Sequence, residues 1–424
     1  MVLTMERVTA TYHIETAHDL HKSAQMMAGE QSAGTFVKVH GETPELTARH
    51  GATVERITEL ETVESPALPC YQQAKGTQSG GTIRRAEVVL SFPLENIGVS
   101  LSTLMTTVSG NLFELAQFSG LKLLDVDIPA VFAERYAGPR FGIHGTRDLA
   151  GVDARPIIGT IIKPSVGLSP DATAELVGML CEAGLDFVKD DELQTNSPHS
   201  PFEIRVKAVM DVVNTHAQKT GKKVMVAFNV TGDLDEMRRN HDVVLQHGGT
   251  CIMVNMLAVG LVGVLEVCRH SQLPVHGHRA GWGQFYRSPA LGMSYVAFQK
   301  FMRLAGVDHL HVNGLRNKFC ESDDSVLGSA RACLTPIFHE DDCAMPVFSS
   351  AQSVDQTHDT FAALGSVDLM YLAGGGILAH PAGPSAGVQS LRQAWSAALD
   401  GVSLAEKAKT HPELQQAIER FQKA

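Results

Sequence analysis

From about residue 140 onward, short β-rich apolar runs alternate with amphipathic stretches of helical period. The pattern predicts strands at Pro156–Pro164, Leu185–Glu192, Val224–Val230, Cys251–Met256, Leu273–His278, Val307–Val312, Met345–Ser350 and Asp368–Gly374. Between them it predicts helices at Ala172–Ala183, Pro201–Thr220, Leu234–His247, Gly260–His270, Met293–Ala305, Ser325–Phe338 and Gln356–Gly365, with a last one at Val388–Leu399. Eight strands, each followed by a helix, is the count of an α/β (β/α)₈ TIM barrel. A doubly wound sheet rarely shows eight clean units.

The first 135 residues have another rhythm. Val8–Glu15 alternates as a strand does, and a helix is expected from near Thr16. Phe36–His40, Val54–Thr62 and Arg84–Phe92 read as strands, the last ending at Pro93, while Leu101–Gly110 and Leu112–Gly120 read as helix-like or loop segments. Segregated elements of this kind predict an α+β, ferredoxin-like domain over 1–135. Asp127–Pro139, rich in proline and mixed charge, is the expected passage to a catalytic barrel over 136–424.

Polar residues stand where the barrel strands end, which in such barrels is the active-site face. Lys163 ends the first strand, Lys189, Asp191 and Glu192 the second, Asn229 the third and Asn255 the fourth. His276, His278 and Arg279 end the fifth, His309 and His311 the sixth, Ser349 the seventh and Gly374-Gly375-Gly376 the eighth. Gly184–Glu192 is the richest of these stretches. Lys189 and Asp191, two apart, share one side of a strand. Two converging carboxylates suit a hard cation such as Mg²⁺, but an ammonium beside them repels it. Either Lys189 is an ordinary ion-pair partner, or CO₂ has converted it to a carbamate, an anionic oxygen ligand. Lys163 is a candidate proton-transfer lysine or a rim lysine. His276 and His278 lack a reliable third ligand for zinc, so the His-Gly-His-Arg run reads as hydrogen-bonding groups beside an anion-binding guanidinium. Gly374–Gly376 lies where barrel loops often bind phosphate through backbone N–H groups. Lys318 sits on the loop after strand six, of the kind that closes as a lid.

Composition narrows the partners. With 44% hydrophobic and 19% charged residues among 424, the balance is that of a globular protein with more than one domain. A formal net charge of −11 leaves no basic stripe for nucleic acid. Cys70, Cys181, Cys251, Cys268, Cys320, Cys333 and Cys343 form no CxxC pair or zinc spacing, as reduced cytoplasmic thiols would. The first seven residues lack a signal-peptide core, and the most apolar window, Cys251–Val267, falls short of a membrane span, so neither secretion nor a membrane is expected.

Taken together these residues resemble the RuBisCO large-chain family. Gly184–Glu192 is similar to its metal-lysine signature, Thr160–Pro164 to its catalytic-lysine strand, Val275–Ala280 to its HxHRA segment and Asp308–His311 to its DHxH segment. Lys318 falls at the mobile-loop lysine, Pro346–Ser349 and Gly374–Gly376 at the phosphate-holding strands. Glu30–Phe36 and Gly110-Asn111 resemble the segments that a partner subunit contributes, which implies a homodimer or a dimer-based oligomer. The resemblance implies that carbamylated Lys189, Asp191 and Glu192 hold Mg²⁺ and that the carbamate is the enolising base. Lys163 would move protons at the enediolate with His278 at the hydroxyls. Arg279, His311 and Ser349 would hold one phosphate, and Gly374, Gly375, Lys318 and the partner's Thr35 another anionic end, with Glu30 and Asn111 beside them.

Several positions depart from the carboxylases. Ser165 replaces a second lysine, Phe36 a tryptophan and Trp282 a histidine, and Ser350-Ala351 displaces a glycine expected just after Ser349. These departures point away from carboxylation and toward a RuBisCO-like protein, form IV. The expected activity is Mg²⁺-dependent enolate chemistry with C–C cleavage on a phosphorylated 3-keto sugar acid of the apionate branch. The alternatives are a methylthioribulose-phosphate enolase or isomerase, whose apolar thioether Phe36 and Trp282 would line, and a non-catalytic regulator.

Overall fold

The computed structural model describes residues 6–34, 39–68 and 82–421. The chain divides into two compact units, Met1–Ala137 with Trp282–Phe301, and Gly138–Gly281 with Met302–Ala424. In chain order the strands of the described residues are β1 (Arg7–Thr16), β2 (Thr53–Val63), β3 (Ile83–Pro93), β4 (Phe118–Asp127), β5 (Ile157–Ile161), β6 (Phe187–Lys189) and β7 (Met225–Asn229). They continue with β8 (Cys251–Asn255), β9 (Val275–His278), β10 (Leu291–Met293), β11 (His309–His311), β12 (Met345–Phe348) and β13 (Met370–Leu372).

The first unit is built on a five-stranded sheet ordered β10-β4-β1-β3-β2, with helices beside it, the expected α+β character. In β1, Val8, Ala10, Tyr12 and Ile14 are buried while the residues between them are partly exposed, the alternation of a half-buried strand. The first helix begins at Leu20, not near Thr16. Thr16 is still paired in β1, and Asp19 caps the helix by accepting the Lys22 N–H at 3.0 Å. Residues 36–38 of the expected Phe36–His40 strand lie outside the described residues, and Val39 and His40 form no strand. The structure replaces the helix-like or loop segment after Leu112 with a short 3₁₀ turn and then β4. Phe118 to Leu123 are buried on both faces, so no alternation marks them as a strand. β10 pairs parallel to β4, which takes Met293 out of the helix expected to start there; that helix runs Tyr295–Ala305.

In the second unit β5, β6, β7, β8, β9, β11, β12 and β13 close a parallel barrel. All eight expected barrel strands are present, each shorter than its apolar run. The interior layer is filled by side chains two apart on successive strands: Met225 and Ala227, Cys251 and Met253, Met345 and Val347, Met370 and Leu372, with Ile157 and Phe187. Gly159 is needed in this layer, because a Cβ there would come within 2.5 Å of Leu372 Cδ2 and 2.8 Å of the Phe187 carbonyl. Two further residues along each strand, the same inward parity reaches Lys189, Asn229, Asn255, Ser349 and Gly374. One period-2 pattern thus supplies both the core and the polar end above it. Cys181, Cys251, Cys268, Cys320 and Cys343 are free thiols, and no helix among the described residues is long and apolar enough to cross a membrane.

Candidate active site at the C-terminal end of the barrel

The end of β6 separates its three acids by strand parity. Asp190 points to the outside, where Arg205 Nη2 meets its Oδ2 at 3.2 Å and the Asn229 N–H donates to the same oxygen at 3.1 Å. Lys189 and Asp191, both 1% exposed, stay with the inward set. Lys163 Nζ lies 2.6 Å from Asp191 Oδ2 and donates to Ser165 Oγ at 2.8 Å. Lys189 Nζ donates to the Asp190 carbonyl at 2.7 Å and lies 3.7 Å from Glu192 Oε2. Burial pushes the Lys189 ammonium below its ordinary pKa, against the pull of Glu192 and Asp191. That shift favours the neutral amine, the form that can attack CO₂.

Two asparagines hold the loop that carries the acids. Asn229 Nδ2 donates to the carbonyls of Asp191 at 3.3 Å and Glu192 at 3.1 Å, and Asn255 Nδ2 donates to Glu192 at 3.0 Å. The sequence marked both as strand ends and gave them no role. His278 Nε2 stands 3.6 Å from Glu192 Oε2, and burial together with the nearby lysine holds it neutral, well below the usual histidine pKa.

The residues expected to hold an anion form a second cluster. Arg279 Nη2 meets Glu321 Oε2 at 2.7 Å, and Glu321 also accepts from Asn313 Nδ2 at 2.5 Å and Ser325 Oγ at 2.8 Å. Sequence reading missed Glu321, which lies 42 residues from the arginine it neutralises. His311 Nδ1 is 3.1 Å from Ser349 Oγ, and the His278 and His311 rings lie 4.5 Å apart. His276 and His309 sit one layer deeper than the strand ends assigned to them, fully buried beside Phe187. Ser350 and Ala351 adopt φ of 70° and 65°, so the chain keeps a left-handed turn after Ser349 without the glycine that would make it easy. A Cβ at Gly375 would meet nothing within 4 Å, and one at Gly374 only Ile161 Cδ1 at 3.7 Å, whereas one at Gly376 would come within 2.6 Å of the Gln352 carbonyl oxygen. Packing explains the third glycine and leaves room at the first two.

Other expected residues are not gathered here. Lys318 is exposed on its loop with Nζ 5.2 Å from the Phe319 ring centre, and no described carboxylate lies within ion-pair distance of it. In the first unit Glu30 ends its helix exposed, and Asn111 is exposed on a 3₁₀ turn. These two segments are neighbours, because the Gln31 amide packs against Gly110. Thr35 and Phe36 lie outside the described residues. Trp282, also in the first unit, is 3% exposed and packs against Phe285, Tyr295 and Phe298, with centroids 5.7, 5.3 and 4.5 Å away.

The donor set fits a divalent ion on one condition. Lys163, Lys189, Asp191 and Glu192 sum to zero charge as they stand, with an ammonium in reach of each carboxylate. A carbamate at Lys189 would leave two net negative charges and three anionic oxygen donors, a match for Mg²⁺.

Residues 142–421 match the family model described as "Ribulose bisphosphate carboxylase large chain, catalytic domain", and residues 4–132 that of its N-terminal domain. The chain is 56% identical over 414 residues to a 3-oxo-isoapionate-4-phosphate transcarboxylase/hydrolase of Xanthobacter autotrophicus, covering 97% of this chain and 99% of that one. It is 45% identical over 416 residues to a 3-oxo-isoapionate-4-phosphate decarboxylase of Rhizobium rhizogenes, covering 98% of each. Among solved structures, a rubisco-like protein from Burkholderia fungorum superposes with a TM-score of 0.92 at 46% identity, covering 98% of this chain and 100% of that one.

Proposed function

The chain belongs to the ribulose bisphosphate carboxylase large-chain family, and from that premise we propose that it is a RuBisCO-like enzyme that cleaves a C–C bond of a phosphorylated 3-keto sugar acid rather than fixing CO₂. The observation that carries this reading is the nearly full-length similarity to a protein named for transcarboxylation and hydrolysis of 3-oxo-isoapionate 4-phosphate. The barrel end has the groups such a reaction needs. A 3-keto acid that loses its carboxyl group leaves an electron pair that must be held as an enolate.

In this reading Lys189 as its carbamate, Asp191 and Glu192 hold Mg²⁺, which when bound supplies Lewis-acid polarisation of the substrate's keto oxygen. Lys163 moves the proton at the enolate carbon; its ammonium is held at Asp191 and is still 45% exposed, within reach of a substrate. Ser165 leaves that lysine as a single cation where the carboxylases have two. His278, kept neutral, hydrogen-bonds substrate hydroxyls. Arg279, His311 and Ser349 take the phosphate, while the backbone N–H groups of Gly374 and Gly375, with Lys318 brought over by its loop, take the other anionic end. Glu30, Thr35 and Asn111 complete the site of a second copy, so the working form is a homodimer or a dimer-based oligomer. The protein acts in the cytoplasm.

The methylthioribulose-phosphate alternative needs an apolar lining for a thioether, and Trp282 is already spent on its own aromatic cluster. Purified protein preincubated with Mg²⁺ and bicarbonate is expected to turn over 3-oxo-isoapionate 4-phosphate and to leave methylthioribulose phosphate unchanged. Turnover of the second compound alone would reject the reading.

A further inference from the structure

The interior layer of the barrel is apolar except at β9 and β11, where His276 pairs in register with Met253 and His309 with Met345. They are links in a buried chain. Thr146 Oγ1 lies 2.8 Å from His309 Nε2, His309 Nδ1 lies 3.3 Å from His276 Nδ1, His276 Nε2 lies 2.7 Å from His311 Nε2, and His311 Nδ1 lies 3.1 Å from Ser349 Oγ. Burial holds all three imidazoles neutral, His309 down to about 3 and the other two well below their ordinary value. A neutral imidazole carries one donor and one acceptor nitrogen. The whole chain therefore runs in one direction or the other.

The two directions differ only at their ends. At the inner end the Thr146 hydroxyl also reaches the Gly142 carbonyl. If Thr146 donates there, it accepts from His309 Nε2–H, His309 Nδ1 accepts from His276 Nδ1–H, and His276 Nε2 accepts from His311 Nε2–H. Ser349 must then donate inward to His311 Nδ1, leaving only a lone pair toward the site. Every hydrogen is used. In the reverse direction Thr146 donates to His309 and gives up Gly142, His311 Nδ1–H donates to Ser349, and the Ser349 hydroxyl proton is released outward. That direction forgoes one hydrogen bond unless something at the barrel end accepts it. Each member keeps a single exchangeable proton in both.

We propose that Thr146, His309 and His276 are positioning residues whose hydrogen-bond direction decides whether Ser349 offers a proton to the substrate's phosphate, the anion itself reversing the direction when it binds. The inference rests on the reading of His311 and Ser349 as anion-binding groups. It adds that the two are not ready-made donors: the resting chain presents an acceptor, which disfavours an anion until the direction turns over. Replacing Thr146 by valine removes the inner acceptor. A buried His309 Nε2–H would then have no partner, whereas a bare Nε2 costs less, so Thr146→Val sets the outward direction without any ligand.

Long-range ¹H–¹⁵N correlation spectra of histidine-labelled full-length protein read the tautomers directly, with inorganic phosphate as the probe and calorimetry reporting its binding. Without phosphate the expected protonated nitrogens are Nε2 of His311, Nδ1 of His276 and Nε2 of His309; with saturating phosphate all three exchange. Thr146→Val should show the exchanged pattern without phosphate and bind phosphate roughly two- to tenfold more tightly, one hydrogen bond's worth, while Thr146→Ser should behave as wild type. A protonated Nδ1 on His311 in the phosphate-free wild type overturns the proposal, and so does phosphate binding with unchanged tautomers. Resting tautomers as assigned with no phosphate binding would instead overturn the anion reading of this end of the site, and the reversal with it.

Discussion

Arg205→Met tests how the loop bearing the proposed metal ligands is held. The Arg205 and Asp190 side chains are each 1% exposed. Besides Asp190, the guanidinium donates to the Ser200 carbonyl at 2.8 Å and the Thr195 carbonyl at 2.7 Å, tying the β6 loop to the helix that follows. Methionine keeps much of the volume and leaves the Asp190 carboxylate facing the Asn229 N–H, 3.1 Å away. Removing one partner of a buried ion pair costs about 3–5 kcal/mol, because the other charge stays behind uncompensated. With an unfolding entropy of about 2 cal/mol/K per residue over a unit this size, that lowers the melting temperature by roughly 5–9 °C. Differential scanning calorimetry measures the shift, and the Mg²⁺ concentration for half-maximal turnover should rise with it, since Asp190 lies between Lys189 and Asp191. Adding Asp190→Asn to Arg205→Met should recover most of the loss. A single variant that melts within 2 °C of wild type, or a double variant no more stable than the single one, would show that this ion pair does not hold the loop.

Lys163→Met should lower turnover by about a hundredfold or more, the range for a positioned proton-transfer group, while metal-dependent thermal protection persists; unimpaired steady-state turnover would exclude the assigned role. Ala351→Gly relieves a left-handed alanine, and calorimetry should show a gain of about 0.5–1 kcal/mol, with a loss counting against strain at this turn. Asp186 is buried, which alone would raise its pKa, yet the Arg155 guanidinium at 2.5 Å and Lys222 at 2.5 Å hold it below the ordinary carboxylate value. Its folded pKa is depressed, so the stability it contributes is present above about pH 4 and is lost as pH falls through the folded value. The melting gap between wild type and Asp186→Asn should therefore be full at neutral pH and close in acid; a gap that widens below pH 4 would contradict the sign.

The barrel was legible because its strands are short apolar runs with helical stretches between them, and because inward parity carries the polar ends into register. Lys189, Asp191 and Lys163 came together for that reason: two share a strand face, and the third ends the neighbouring strand. β4 of the first unit was missed because burial on both faces erases alternation, and Lys122, buried with its ammonium at the Tyr286 and Ser288 carbonyls, reads as a surface residue in sequence. Glu321 and Arg205 were missed for another reason. Each neutralises a partner far along the chain, and no local pattern announces a long-range ion pair. His276 and His309 were assigned to the strand ends, whereas their parity places them in the interior, where a histidine needs partners on both nitrogens.

The proposed carbamylation makes Lys189 an anionic ligand through uptake of CO₂. It is tested most directly by ¹³C NMR of the protein incubated with ¹³C-bicarbonate and Mg²⁺, compared with Lys189→Ala. The account predicts one carbamate resonance per chain in the wild type, strengthened by Mg²⁺ and absent from the variant, which should also lack turnover. A wild-type protein that turns over substrate with Mg²⁺ while showing no such resonance, or a Lys189→Ala variant that keeps both turnover and magnesium dependence, would contradict it.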